Sequence, residues 1–175
     1  MKHVAAMAVL ALGTPACAEV VSASANGFEV RESVPLVVPP EAAYRDFSNI
    51  GEWWDPQHTY SGDSANLSLA LIPGGCFCER IPKTGGGVEH LRVTYVEPDK
   101  QVVFTGALGP LLYQAVAGAM NVEIKKIAGG SQLTIDYRAA GFASGGADKL
   151  APALDSVLAD QLKRFRAYAT ARPRT

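Results

Sequence analysis

The stretch Asp148-Lys149-Leu150-Ala151-Pro152-Ala153-Leu154-Asp155-Ser156-Val157-Leu158-Ala159-Asp160-Gln161-Leu162-Lys163-Arg164-Phe165-Arg166-Ala167-Tyr168 has a period that occurs nowhere else in the chain. Leu150, Leu154, Val157, Leu158, Leu162, Phe165 and Tyr168 fall on one stripe at helical spacing, with most of the charged residues off it. Pro152 sits where a first turn tolerates proline, Asp148 is a candidate N-cap, and the basic residues gather toward the end where the helix dipole favours them. A long helix this apolar along one side needs a sheet to cover it.

Upstream the period is two. Phe28, Val30, Val34 and Leu36 alternate with polar neighbours, interrupted at Glu32, and predict a first strand that ends at Pro39-Pro40. Pro40 can open a short helix that turns Tyr44 and Phe47 inward before Gly51. From Asn66 onward, Leu67 to Leu71, Cys76 to Ile81, Val88 to Val96, Val102 to Thr105, Met120 to Ile124 and Leu133 to Tyr137 predict six strands separated by glycine or proline turns with no helix between them. That is an antiparallel meander, and with the terminal helix it makes an α+β domain.

This order resembles the helix-grip fold of the START-like (SRPBCC) superfamily, which includes birch-pollen-allergen-like proteins, polyketide cyclases or dehydrases and lipid-transfer domains. The resemblance spans residues 27–170. Trp53-Trp54-Asp55-Pro56, His58-Thr59-Tyr60-Ser61-Gly62, Gly74-Gly75-Cys76-Phe77-Cys78-Glu79 and Leu108-Gly109-Pro110-Leu111 are similar to a bacterial exported group within it that has no assigned activity. The resemblance implies a curved antiparallel sheet of about seven strands, two short helices after the first strand, and a cavity between sheet and terminal helix. It implies no particular reaction.

Met1-Lys2-His3, the apolar run Val4 to Leu12 and the small residues Ala16-Cys17-Ala18 have the layout of a secretory signal over residues 1–18. Lipidation at Cys17 is the weaker alternative, because Thr14 stands where a bulky aliphatic residue is wanted. The expected organisation is therefore a leader at 1–18, a linker at 19–26, the domain at 27–170 and a tail at 171–175, with export to the bacterial periplasm. The remainder has no apolar run long enough to span a bilayer. Of 175 residues, 16 are Lys or Arg and 17 are Asp or Glu, a balance that argues against a nucleic-acid partner. A monomer is expected. Elbow, phosphate-loop and dinucleotide motifs are missing from the sequence.

Several residues are candidates for a site. Trp53 and Trp54, the only tryptophans, either line a cavity mouth or plug the end of the sheet. His58 and Tyr60 follow in a polar loop, where they could anchor a ligand, donate and accept protons, or merely cap the loop. If Ile81 pairs with Val88, Glu79 lies across from His90, on a face shared with Phe77 and Arg92. That face either lines the cavity, giving a carboxylate-oriented imidazole, or is a solvated charge cluster. The apolar alternation of Leu91, Val93 and Tyr95 favours the second. The same register puts Cys76 and Cys78 on the Leu91 face as small buried hydrophobes, and a disulfide between them looks awkward because extended neighbours two apart lie roughly 6.5–7 Å apart. Cys-x-Cys is not the usual zinc spacing and the chain has only 3 histidines, so no metal or other cofactor is expected.

The expected function is binding of a hydrophobic or amphipathic small molecule, a lipid or an aromatic polyketide-like compound. Trp53, Trp54, Tyr60, Tyr95, Phe104 and Tyr137 would line the cavity, with His58 and Glu79 as polar anchors. One alternative is a cyclase or dehydrase in which His58 or His90 takes a proton and Tyr60 or Tyr95 steadies the enolate. Another is an interaction module that presents Trp53 and Trp54 to a protein partner.

Overall fold

The structure is a computed structural model and describes residues 18–172. One antiparallel sheet runs in the order β1-β2-β8-β7-β6-β5-β4-β3, and the elements follow the chain as β1 (Ala18–Ser24), β2 (Gly27–Leu36), α1 (Pro40–Ser48), α2 (Ile50–Trp53), β3 (Leu67–Leu69), β4 (Cys76–Ile81), β5 (Gly86–Glu97), β6 (Gln101–Thr105), β7 (Ala115–Ile127), β8 (Gly130–Phe142) and α3 (Ala151–Ala171). The α+β architecture expected from the pattern, an antiparallel sheet with a long C-terminal helix, is present, including the six-stranded meander β3 to β8.

The strand count is eight because residues 19–26 do not form a linker. Glu19 pairs with Arg31 and Ser24 with Gly27, so β1 hydrogen-bonds along β2 as an edge strand. The chain reverses at Ala25-Asn26, between the paired Ser24 and Gly27. The expected leader lies outside the described residues except for Ala18, which opens β1.

Pro40 opens α1 as expected; of the two residues expected inside, Phe47 is buried and Tyr44 is half-buried, with Ala43 filling the inner face. Asp148 does not cap α3. It lies in a 3₁₀ turn, Ala147–Lys149, and Leu150 occupies the cap position with Pro152 in the first turn. Leu154, Leu158, Leu162 and Phe165 bury the inner stripe of α3, which packs on β2, β1 and the two short helices. Phe165 meets Phe47 edge-on at 5.8 Å and Trp53 at 5.1 Å, which closes this end of the sheet with aromatic area.

Glu32, the polar break in the first strand, points inward with the apolar residues of β2 and is buried beneath α3. One of its oxygens and one of Asp155 on α3 lack a hydrogen-bond donor. Burial first, and then the neighbouring Asp155 carboxyl, push the Glu32 carboxyl up to about 8. Glu32 therefore keeps its proton at neutral pH, facing the Asp155 carboxyl.

Two irregularities in β5 set which side chains face inward. Phe77 pairs with Leu91 and Cys78 with Glu89, leaving His90 as an extra residue, and Val93 pairs with Phe104 and Tyr95 with Val103, leaving Thr94 as another. Each bulge shifts the alternation by one position. His90 and Leu91 are consequently both buried, and Tyr95, expected inside with Leu91 and Val93, is 47% exposed on the outer side.

Candidate functional site

The glycine run at 85–87 changes the register of the β4–β5 hairpin. Gly85 takes a positive φ in the turn while Gly86 and Gly87 join the strand, so Ile81 pairs with Gly86 rather than Val88. A Cβ at Gly87 would come within 2.8 Å of the Glu79 carbonyl oxygen, which is why the strands approach closely there. Glu79 thus pairs with Val88 in the backbone, yet its side chain still reaches the bulged His90, with Oε2 at 3.0 Å from Nε2.

The solvated charge cluster favoured by the sequence is therefore not what forms. Glu79 and His90 are 2% and 5% exposed, and only Arg92 faces water. Burial alone would raise the Glu79 carboxyl, but hydrogen bonds from Ser61, the Tyr60 amide (3.1 Å) and His90 outweigh it and hold the carboxyl below its ordinary value. For His90, burial lowers the pKa against the opposing pull of Glu79. An ionised Glu79 and a neutral His90 follow, with the imidazole proton on Nε2 toward the carboxylate and Nδ1 left as a lone-pair acceptor. The His90 ring is held between Phe77, at 4.6 Å, and Tyr60, at 5.8 Å.

This ring forms part of the wall of a cleft of about 440 Å³ at one end of the molecule. Leu150, Leu154 and Val157 of α3 form one side; Leu108, Pro110, Leu111 and Tyr113, around the 3₁₀ turn Gly109–Tyr113, form another. Trp54, His58 and Tyr60 complete it from the loop after α2. The walls are overwhelmingly carbon, and Gln57, His58, Thr59, Tyr60 and His90 bring the polar side chains. The Tyr60 hydroxyl donates to the Gly109 carbonyl (3.0 Å), joining two walls, and burial raises its pKa. Tyr113, 75% exposed, stands at the rim and meets Tyr60 at 6.3 Å.

The residue that positions the loop is Gln161, and reading the sequence did not single it out. It is buried on α3; its Oε1 accepts from the Asp55 amide (2.9 Å) and its Nε2 donates to His58 Nδ1 (3.1 Å). Because a backbone amide can only donate, the amide orientation is determined, and the His58 proton lies on Nε2. Arg164 on the same helix holds the Asp55 carboxylate at 2.6 Å. The signal was available: Gln161 continues the spacing Leu154, Leu158, Phe165 as a polar residue within an apolar stripe.

The other expected lining residues lie elsewhere. Trp53 and Phe104 border a small void of about 20 Å³ deeper in the core, together with Trp54, Phe77 and Leu158. Both tryptophans are buried, 4% and 8% exposed, and their indole N–H groups are bound to the Phe47 and His58 carbonyls. Neither is presented to a partner, so the surface that an interaction module required is not formed. Tyr137 is fully buried and structural: its hydroxyl donates to the Gly106 carbonyl and accepts from the Leu108 amide, and burial pushes its pKa up to about 12.

Cys76 and Cys78 are not buried thiols on the Leu91 face. They project to the opposite, outer side of β4, half-buried, and are joined in a disulfide. The expected obstacle was separation, but the strand is drawn in opposite the His90 bulge and their Cα atoms are 5.4 Å apart. His90 points to the inner side, so no Cys-Cys-His metal set is assembled among the described residues. The sulfurs and a Glu89 carboxylate oxygen do lie within 4.8 Å of one another.

No family model and no curated protein matches the chain. Among solved structures, it is similar to an uncharacterised protein from Rhizobium leguminosarum with a TM-score of 0.61 and 17% identity, over 86% of this chain and 98% of that one. It is also similar to Mll3558 from Rhizobium loti (TM-score 0.57, 22% identity, 81% and 95% covered) and to NE0264 from Nitrosomonas europaea (0.54, 18%, 89% and 97%). The likeness establishes a shared architecture of antiparallel sheet and C-terminal helix with uncharacterised bacterial proteins.

Proposed function

We propose that this protein is a START-like domain that binds one apolar or amphipathic small molecule in the cleft enclosed by the start of α3, the Gly109–Tyr113 turn and the loop after α2. The observation that carries the proposal is the cleft itself: about 440 Å³ of largely carbon-walled space with a few polar side chains, His58, Tyr60 and His90 among them. That volume is in the range of small-molecule sites, and burial of the ligand's apolar body supplies the driving force. Of the polar side chains, His58 offers an N–H and His90 a lone pair, which suits a head group that both donates and accepts, such as a hydroxyl or a carboxylic acid. The leader-like start of the sequence and the Cys76–Cys78 disulfide support export to an oxidising compartment.

The test is titration of the purified protein with decan-1-ol and with 1-naphthol, whose hydroxyls both donate and accept, followed by calorimetry and native mass spectrometry. One equivalent is expected to bind, and Val157→Trp, which fills the cleft from a half-buried helix position, is expected to abolish binding without loss of fold. Equal binding by Val157→Trp, or no binding by the parent, would sink the proposal.

The Glu79–His90 pair favours a second reading, an acid–base enzyme. A carboxylate that fixes the tautomer of a neutral imidazole facing an apolar cleft is the arrangement needed to take a proton from carbon beside a carbonyl. Deuterium uptake at that carbon in a bound ketone, lost in His90→Gln while binding persists, is the expected signature. Uptake that His90→Gln leaves unchanged would exclude His90 as the base.

A further inference from the structure

The Cys76–Cys78 disulfide lies on the side of the sheet away from the cleft and has no part in the binding proposal. As a staple it would contribute little. It closes a loop between residues only two apart in sequence, inside a strand that β3 and β5 already hold on both sides, so it removes little chain entropy from the unfolded state. Its surroundings are chemically asymmetric. Across the strand from Cys76 is Arg92, and across from Cys78 are Glu89 on β5 and Ser68 on the three-residue edge strand β3. Arg92 is held by both oxygens of Glu89 and donates to the Gly74 carbonyl at 3.0 Å, and a Glu89 carboxylate oxygen lies within 4.8 Å of both sulfurs. Cys76, Cys78, Ser68, Glu89 and Arg92 are all at least partly open to solvent, so an external thiol has an approach over the short edge.

We propose that Cys76–Cys78 is a thiol–disulfide exchange site that oxidises small or protein-borne thiols. An incoming thiolate attacks Cys78 Sγ and forms a mixed disulfide; the Cys76–Cys78 bond breaks, and its electron pair stays on Cys76 Sγ as a thiolate beside Arg92. A second thiolate then attacks the sulfur of the first on the mixed disulfide and releases Cys78. Two thiols become one disulfide, two electrons pass to the protein, and Cys76 and Cys78 end as a dithiol with the two protons. The polarity follows from register: Arg92 lies directly across from Cys76, whereas the Glu89 carboxylate is close to both sulfurs, and a thiolate leaves more readily on the side of the cation. Arg92 and Glu89 are positioning residues of opposite sign, since Glu89 partly neutralises the cation that Arg92 supplies.

The probe is reduced glutathione at millimolar concentration, added to the full chain, with acid quenching, alkylation and mass spectrometry of the adducts over time. The expected result is complete reduction with the fold retained by near-ultraviolet circular dichroism, through a transient glutathione adduct on Cys78. Arg92→Ala is expected to slow reduction roughly three- to tenfold, Arg92→Lys to restore it, and Glu89→Gln to accelerate it. A residue that merely shaped the strand would not give opposite signs at the two positions. Resistance to glutathione, unfolding on reduction, an adduct on Cys76, or unchanged rates in Arg92→Ala and Glu89→Gln would each overturn the proposal.

Discussion

At the scale of single residues, the informative side chains are polar groups in places that alternation reserves for apolar ones. Glu32 is buried in β2 against Asp155, and its carboxyl is raised from an ordinary value of 4.5 to about 8. The folded protein therefore holds a proton there that the unfolded chain releases above about 4.5. Folding stability associated with Glu32 is full below that value and falls as pH rises toward 8. We expect Glu32→Gln, which keeps a donor toward Asp155 without an ionisable group, to stabilise the protein at pH 8 by about 1–3 kcal/mol and to flatten this part of the pH profile. Thermal melts of both forms between pH 5 and pH 8 check it, and a melting temperature that drops on substitution at pH 8 would count against a protonated Glu32. Glu79 and His90 have the opposite dependence. Both are lowered in the folded state, so their contributions are present at neutral pH and decline on acidification, His90 from below 6.5 and Glu79 from below 4.5.

At the scale of elements, α3 does more than cover the sheet. Its inner stripe carries Gln161, which fastens the loop holding Trp54 and His58 and so keeps one wall of the cleft in place. Gln161→Ala leaves the Asp55 amide and His58 Nδ1 without their partner. The expected cost is about 1–3 kcal/mol, accompanied by faster hydrogen exchange at the Asp55 amide and weaker binding in the cleft. Unchanged exchange at Asp55 would show that the loop is held by other contacts. The bulges in β5 are the other element-level device. One extra residue turns His90 inward next to Leu91, and a second sends Tyr95 out, so a single strand contributes both core and site from consecutive positions.

At the scale of the whole molecule, the sheet is completed by its first strand. β1 covers the hydrogen-bonding edge of β2, and α3 contacts both. A chain beginning at Gly27 would leave that edge open, and long exposed edges recruit other strands. We expect it to melt several degrees lower and to associate with rising concentration in sedimentation, whereas the chain retaining residues 19–26 does not. Equal stability and a concentration-independent size for both would show that β1 is dispensable.

How much of this was legible depended on the range of the interaction concerned. The amphipathic period of α3, the proline start of α1 and the turn-separated meander are local properties of the chain, set by side-chain spacing and backbone restriction, and the architecture follows from them. The Ala25-Asn26 turn is equally local, but the short polar stretch around it has no apolar alternation to mark β1 as a strand. Which face Glu79, His90, Tyr95 and the cysteines present was not local. It depends on strand register and on bulges that arise only when β4, β5 and β6 pair, and one inserted residue reverses every later side chain. The buried pairs Glu32–Asp155, Gln161–His58 and Glu79–His90 likewise join residues from separate elements. Their chemistry comes from desolvation at those junctions, which exist only once the helix has closed on the sheet.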